Sequence, residues 1–263
     1  EILIGLVGSE MCIRDRFMYK ATGWGDVYPR YDAQNNKSTK TAAGWSQAKP
    51  VYLLSDKATI WAYYPYNQAV ADGTKVPVPI NAGTSVDYMW GKSTNQVSVI
   101  ETDAVIPMKH ALSQLVIRLK VSPEYHNDGN LTSAKLKSKA AKFGTSGTMN
   151  LNDNGRIIFS PTSTELSWTP NTTIPAQGNP SVDFAAAIYP MSLASGEVSM
   201  EVVIDGATYT YSIPQISWEA GKRYIYSITM RSNDAEIGGE NGQSVTIEPW
   251  GSSESDVTLV PVK

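Results

Sequence analysis

Gly221-Lys-Arg-Tyr-Ile-Tyr-Ser-Ile-Thr-Met230, followed after a loop by Val245-Thr-Ile-Glu-Pro-Trp250, is the part of the sequence that decides the fold. In the first stretch Tyr224, Tyr226, Ile228 and Met230 fall on one face, and Ser227 and Thr229 take the other beside Ile225. A period of two with Tyr and Ile is that of a half-buried strand. Ala220-Gly221 supplies the turn before it. In the second stretch Pro249 cannot donate to a central ladder, so the sheet is expected to end near Trp250. Neither stretch carries a reactive group.

The rest of the chain supplies strands for these two to join. Val198 to Ile213 is the clearest unit: the two-residue turn Asp205-Gly206 suits a type I′ hairpin. That turn sets Ile204 opposite Ala207, Val202 opposite Tyr209, Met200 opposite Tyr211 and Val198 opposite Ile213, an apolar face throughout. Pattern and turn agree, so the register is well specified. Pro50-Val-Tyr-Leu-Leu54, Ala58-Thr-Ile-Trp-Ala-Tyr-Tyr64, Asp87-Tyr-Met-Trp-Gly91, Val97–Ile100 and Val182–Tyr189 also read as strands. Val76-Pro-Val-Pro-Ile80, with two prolines, reads as an edge strand. Shorter candidates lie at Ser133–Lys139, Gly147–Leu151 and Arg156–Ser160.

His110–Val121 fits two templates. Leu112, Leu115, Val116 and Leu119 match helical spacing, whereas Leu115, Ile117, Leu119 and Val121 alternate with Arg118 and Lys120. The β-branched residues and the missing helix cap favour a strand from Leu115 onward. Many short strands separated by turn signals, with no convincing helix, predict an all-β chain of two β-sandwiches. The division is expected near Ser122-Pro123, with a point before His110 as the alternative. The first domain is thus residues 17–122 and the second 123–263, with a C-terminal extension over 251–263.

Composition excludes several classes. The chain has 263 residues, a net charge of −3 and no Lys/Arg stripe, so nucleic acid is not an expected partner. No apolar run reaches the roughly 18 residues of a membrane helix. One cysteine permits no internal disulfide framework. With two histidines, His110 and His126, local spacing builds no metal cluster, and His110 reads as a hydrogen-bonding residue at a strand end. Asn150-Leu-Asn-Asp-Asn-Gly155 has one charge, and Pro161 stands where a calcium loop needs its bidentate Glu, so a turn is expected. No phosphate loop, nucleophile–base pair or paired carboxylates emerge, so no catalytic residue, cofactor or metal is expected. The aromatic set that includes Trp61 and Tyr63 reads either as sandwich core or as a sugar-binding platform.

The two ends are distinctive. Val7-Gly-Ser-Glu-Met-Cys-Ile-Arg-Asp15 resembles one reading frame of a transposon-end sequencing adapter. Residues 1–16 are therefore expected to be foreign to the fold and to pack nowhere specific. At the other end, Gly251–Ser255 reads as a spacer before Asp256–Lys263. If extended, Val257 and Leu259 share one face and Val260 and Val262 the other. This segment is a candidate donor strand for another subunit, or else the last strand of its own domain.

Ala58-Thr-Ile-Trp-Ala-Tyr-Tyr-Pro-Tyr66, Asp87-Tyr-Met-Trp-Gly91, Met108-Lys-His-Ala-Leu-Ser-Gln-Leu115, Ala220–Ile228 and Ile247-Glu-Pro-Trp250 occur in this order. As an ordered set, spanning about Trp45 to Trp250, they resemble the fimbrillin-like family of Bacteroidetes surface proteins. The resemblance implies two tandem transthyretin-like β-sandwich domains and export to the outer membrane as a lipoprotein. It also implies a non-enzymatic role as a structural or adhesive fimbrial subunit. Its partners would be other fimbrial subunits, assembled by strand exchange, together with surface glycans or proteins. The signal peptide, lipid-bearing cysteine and first strand usual in the family are not found in this sequence. The alternative function is a surface carbohydrate-binding module using Trp61 and Tyr63.

Overall fold

The computed structural model describes residues 13–21, 23–28, 34–41, 44–80, 86–174, 181–230, 235–237, 245–250 and 258–259. In chain order the first strands are β1 (Ile13–Lys20), β2 (Ser38–Thr41), β3 (Gly44–Gln47), β4 (Ala58–Tyr64), β5 (Val76–Pro79), β6 (Met89–Lys92), β7 (Ala104–Val105) and β8 (Met108–His110). Then come β9 (Ser113–Val121), β10 (Gly129–Ser138), β11 (Ser146–Asn150), β12 (Arg156–Phe159), β13 (Glu165–Trp168), β14 (Thr172–Ile174), β15 (Val182–Ile188) and β16 (Met191–Leu193). The last are β17 (Val198–Ile204), β18 (Ala207–Ser212), β19 (Ile216–Trp218), β20 (Lys222–Met230), β21 (Ala235–Ile237), β22 (Thr246–Pro249) and β23 (Thr258–Leu259). Helical structure among them is a single 3-10 turn, Leu151–Asp153. The molecule is all-β.

The second half is a sandwich. One sheet runs β13-β10-β17-β18 with β14 also on β10, and the other runs β15-β9-β20 with β21 and β22 on β20. Between them Leu131, Leu136, Met200 and Val202 meet Leu115, Ile117, Tyr224 and Tyr226 in one core. β9 is the strand that its β-branched alternation predicts, and β20 lies parallel to it from Arg223↔Gln114 to Met230↔Val121. The β17–β18 hairpin has the register set by its turn, Ile204↔Ala207 to Met200↔Tyr211. Asp205 and Gly206 take the positive φ values of 50° and 80° that a type I′ turn demands.

The first half is built on β4. The sheet order β3-β2-β1-β4-β6-β8 places it centrally. All seven of its residues are buried. Trp61 and Tyr63 point into one apolar cluster, and Ile60, Ala62 and Tyr64 into another. The uninterrupted apolar run Ile60–Tyr64 belongs to a strand covered on both faces.

Sheet membership changes between β8 and β9, at Ala111-Leu112; the expected divisions before His110 and at Ser122-Pro123 bracket that point. The halves are nevertheless interleaved. β11 pairs with β5 as well as with β12, giving a three-stranded sheet of order β12-β11-β5. Met149, Leu151, Ala187 and Tyr189 share a core with Tyr63, Val76 and Val78.

The expectation that residues 1–16 pack nowhere fails at its C-terminal end. Ile13 and Arg14 pair with Thr39 and Ser38, Asp15 and Arg16 with Tyr63 and Ala62, and Arg16 is buried. Sheet pairing uses main-chain groups that every non-proline residue carries, so extended residues before Phe17 simply prolong β1. Val7–Cys12 lies outside the described residues.

Candidate functional site

The aromatic cluster is core. Trp61 is 4% exposed and Tyr63 0%. Trp61 meets Trp24 edge-on at 5.0 Å and Tyr19 at 5.6 Å, and the Lys92 ammonium sits 5.1 Å from its ring centroid. The single proton of the Tyr63 hydroxyl is shared between Asn35 Oδ1 at 2.8 Å and the Asn67 carbonyl at 3.1 Å. A sugar platform needs an exposed ring face, and β4 exposes neither ring, which corrects the platform reading of Trp61 and Tyr63. The signal was already in Ile60–Tyr64, whose unbroken apolar run has no solvent face to offer.

His110 does sit at a strand end and does bond, but its partners come from distant segments. Its Nδ1 lies 2.9 Å from the buried Asp87 carboxylate, and its ring stacks on Trp250 at 4.6 Å with 9° between planes. The Trp250 amide donates to the Gly221 carbonyl and the Gly221 amide to the Leu112 carbonyl. The end of β22, where the C-terminal segment departs, is thereby clamped to the junction of β8 and β9. No local pattern around Asp87, His110 or Trp250 announces the clamp, because its members are far apart in sequence.

Of the candidate donor strand, Val257, Val260 and Val262 lie outside the described residues. Thr258–Leu259 forms β23, antiparallel to β7, with Thr258↔Val105 and Leu259↔Ala104. The partner is thus a strand of the chain's own first half, and not of the C-terminal domain that the intramolecular alternative names. Asn150–Gly155 forms the expected turn: Asn150 Oδ1 accepts from the Asn152 and Asp153 amides at 3.0 and 3.2 Å. Among the described residues no group of three or more His, Cys, Asp or Glu is arranged to hold a metal ion. Among them, too, no helix is long and apolar enough to cross a membrane.

The most strongly perturbed acids are phenols. Burial raises Tyr226 and Tyr189 well above the ordinary value of 10.0, and burial followed by the hydrogen bond to Asp205 does the same for Tyr125. Tyr226 accepts the Trp218 indole N–H at 3.2 Å, and Tyr189 donates to the Val78 carbonyl across the two halves. A raised folded-state value means that the unfolded chain loses these protons first. The contribution to stability is therefore complete below about pH 10 and is lost as pH rises through the window above it. Urea midpoints measured from about pH 8 to about pH 11.5 are expected to fall above pH 10, with the tyrosinate absorbance of these three phenols appearing only on unfolding. Tyr226→Phe is expected to flatten that fall; an unchanged slope would contradict the assignment.

Comparison with known proteins was made against this fold. None of the curated proteins matches the chain. Among solved structures, a candidate cell adhesion protein from Bacteroides ovatus superposes with a TM-score of 0.69 at 19% identity, covering 92% of this chain and 88% of that one. A fimbrial protein from Bacteroides vulgatus gives 0.57 at 16% identity, covering 90% and 93%. The tip fimbrial protein Mfa3 from Porphyromonas gingivalis, with a C-terminal truncation, gives 0.50 at 8% identity, covering 91% and 94%. At such identities the likeness is one of fold. The fimbrillin-like family matches residues 15–250, from Asp15, where β1 begins to pair with β4, to the Trp250 clamp, and the chain belongs to that family.

Proposed function

We propose that this protein is a non-enzymatic structural or adhesive subunit of cell-surface fimbriae. The observation that carries the proposal is the family match across residues 15–250. The fold shared with a fimbrial protein and a tip fimbrial protein supports it. In this reading the two halves are tandem transthyretin-like sandwiches, with β9 in the second, and the subunit reaches the outer membrane as a lipoprotein. Subunits join by strand exchange, with Val257, Leu259, Val260 and Val262 filling pockets of a neighbour while main-chain bonds supply affinity. Pairing of β23 with β7 is then the intramolecular form of a contact that a second subunit takes over. Other fimbrial subunits are the main partners, with surface glycans or proteins as receptors. A carbohydrate module built on Trp61 and Tyr63 is not proposed, because both rings are buried.

Deletion of Asp256–Lys263 from the full-length protein tests the assembly. Polymers are expected to disappear, by sedimentation and electron microscopy, while the monomer's melting temperature shifts by no more than about 2 °C. Normal polymers together with an early-melting monomer would make the segment purely intramolecular and end the strand-exchange reading.

A further inference from the structure

We propose that β18 is an intersubunit edge, through which two copies of this chain pair antiparallel about a two-fold axis at Thr210. β18 ends the order β13-β10-β17-β18, and among the described residues it pairs with β17 alone. Natural sheets guard such edges with charge, proline or a bulge. Several other outer strands of this molecule follow that rule, with Lys109 in β8, Arg156 in β12, Glu165 in β13 and Asp183 in β15, while the outer strands β3, β16 and β19, which lack charge and proline, are protected by being only three or four residues long. The six residues of β18, Ala-Thr-Tyr-Thr-Tyr-Ser, contain no charge and no proline, and their register with β17 is unbroken.

Hydrogen-bond parity shows which groups are available. Ile204↔Ala207 closes the two-residue turn, and the Ile213 amide donates to the Val198 carbonyl at 2.9 Å. Ala207, Tyr209 and Tyr211 therefore exchange bonds with β17, and the amides and carbonyls of Thr208, Thr210 and Ser212 point outward. Among the described residues nothing bonds to these outward groups, and the three side chains beside them are exposed.

The sequence of this edge is complementary to itself. Antiparallel pairing centred on Thr210 sets Thr210 opposite Thr210 of the second copy and Thr208 opposite Ser212. All outward groups are then used, in about six hydrogen bonds. Tyr209 falls opposite Tyr211 at the closer, non-hydrogen-bonded positions. Thr–Thr, Thr–Ser and aromatic pairs are all favourable across strands, and no like charges meet. This self-complementarity singles out a second copy over an unrelated peptide. The contact is isologous and closes at two, so it joins subunits laterally and does not propagate a polymer. It does not depend on strand exchange through residues 256–263.

The test uses the full chain with Cys12→Ser as background, since Cys12 is the only cysteine. Cα atoms in a hydrogen-bonded antiparallel pair lie about 5.5 Å apart, within disulfide range. Thr210→Cys is expected to give disulfide-linked dimers at least about tenfold faster than Thr208→Cys, whose opposite residue is Ser212. Sedimentation up to about 1 mM, a range that populates small and weak interfaces, is expected to show a dimer. Thr210→Lys and Thr210→Pro are expected to weaken it at least about tenfold. The proline removes an outward amide and no bond to β17, and an unchanged melting temperature will show that folding is spared. A monomer at every concentration, or equal cross-linking at 208 and 210, would overturn the proposal. Deleting 256–263 should leave the dimer intact; its loss would assign the contact to the C-terminal segment and overturn the proposal for β18.

Discussion

Replacing Gly155 with alanine is expected to cost about 2–5 kcal/mol of stability, among the largest effects any single substitution in this protein will show. Gly155 follows the β11 turn with φ of +68°, and a Cβ there would stand 2.0 Å from Cδ1 and 2.2 Å from Cγ of Trp90. Two penalties combine. A side chain in the left-handed region costs about 1–2 kcal/mol, and forcing atoms into a packed site adds about 1–3 kcal/mol. The indole cannot swing away cheaply, because Trp90 is in β6, paired between Tyr63 and Lys109. Gly206→Ala is the control: its φ is +80° but nothing lies within 4 Å of the added Cβ, so only the conformational penalty applies. The measurement is the urea midpoint of both variants. Equal losses would mean that the Trp90 contact contributes nothing. A double-mutant cycle with Trp90→Ala should return at least about 1 kcal/mol of coupling, locating the cost in that contact.

Trp61→Ala is expected to destabilise the protein by about 3–5 kcal/mol, the usual cost of removing a buried indole. The ring lies in the first-half core against Tyr19 and Trp24, and its removal also strands the Lys92 ammonium, a cation–π contact of about 0.5–1 kcal/mol. Tyr52→Ala, at a residue 58% exposed, should change stability by no more than about 0.5 kcal/mol. The contrast separates core from surface aromatics by urea denaturation. A Trp61→Ala protein with an unchanged midpoint that had lost binding on a glycan array would reverse the core assignment.

What the sequence determined by itself is what depends on neighbours along the chain. The β17–β18 register follows from Asp205-Gly206 and the alternation around it, because turn geometry and a period of two leave one consistent pairing. β20 declared itself by alternation, β9 was separated from a competing helical spacing by its β-branched residues and missing cap, β22 ended at its proline, and the ordered aromatic and Gly-Lys-Arg-Tyr motifs carried the family. Burial of Trp61 and Tyr63 was half legible: the continuous apolar run of β4 signalled two covered faces, while an aromatic pair alone is equally suited to a platform. Only the tertiary structure decided what joins residues far apart in the chain. β11 crosses to β5, Tyr189 reaches the Val78 carbonyl, Trp250 stacks on His110 beside Asp87, and β23 lies on β7. Each of these pairings is one of many that main-chain groups and aromatic rings of this kind could make. The choice comes from closing all the sheets and cores at once, and no short window of sequence contains that constraint.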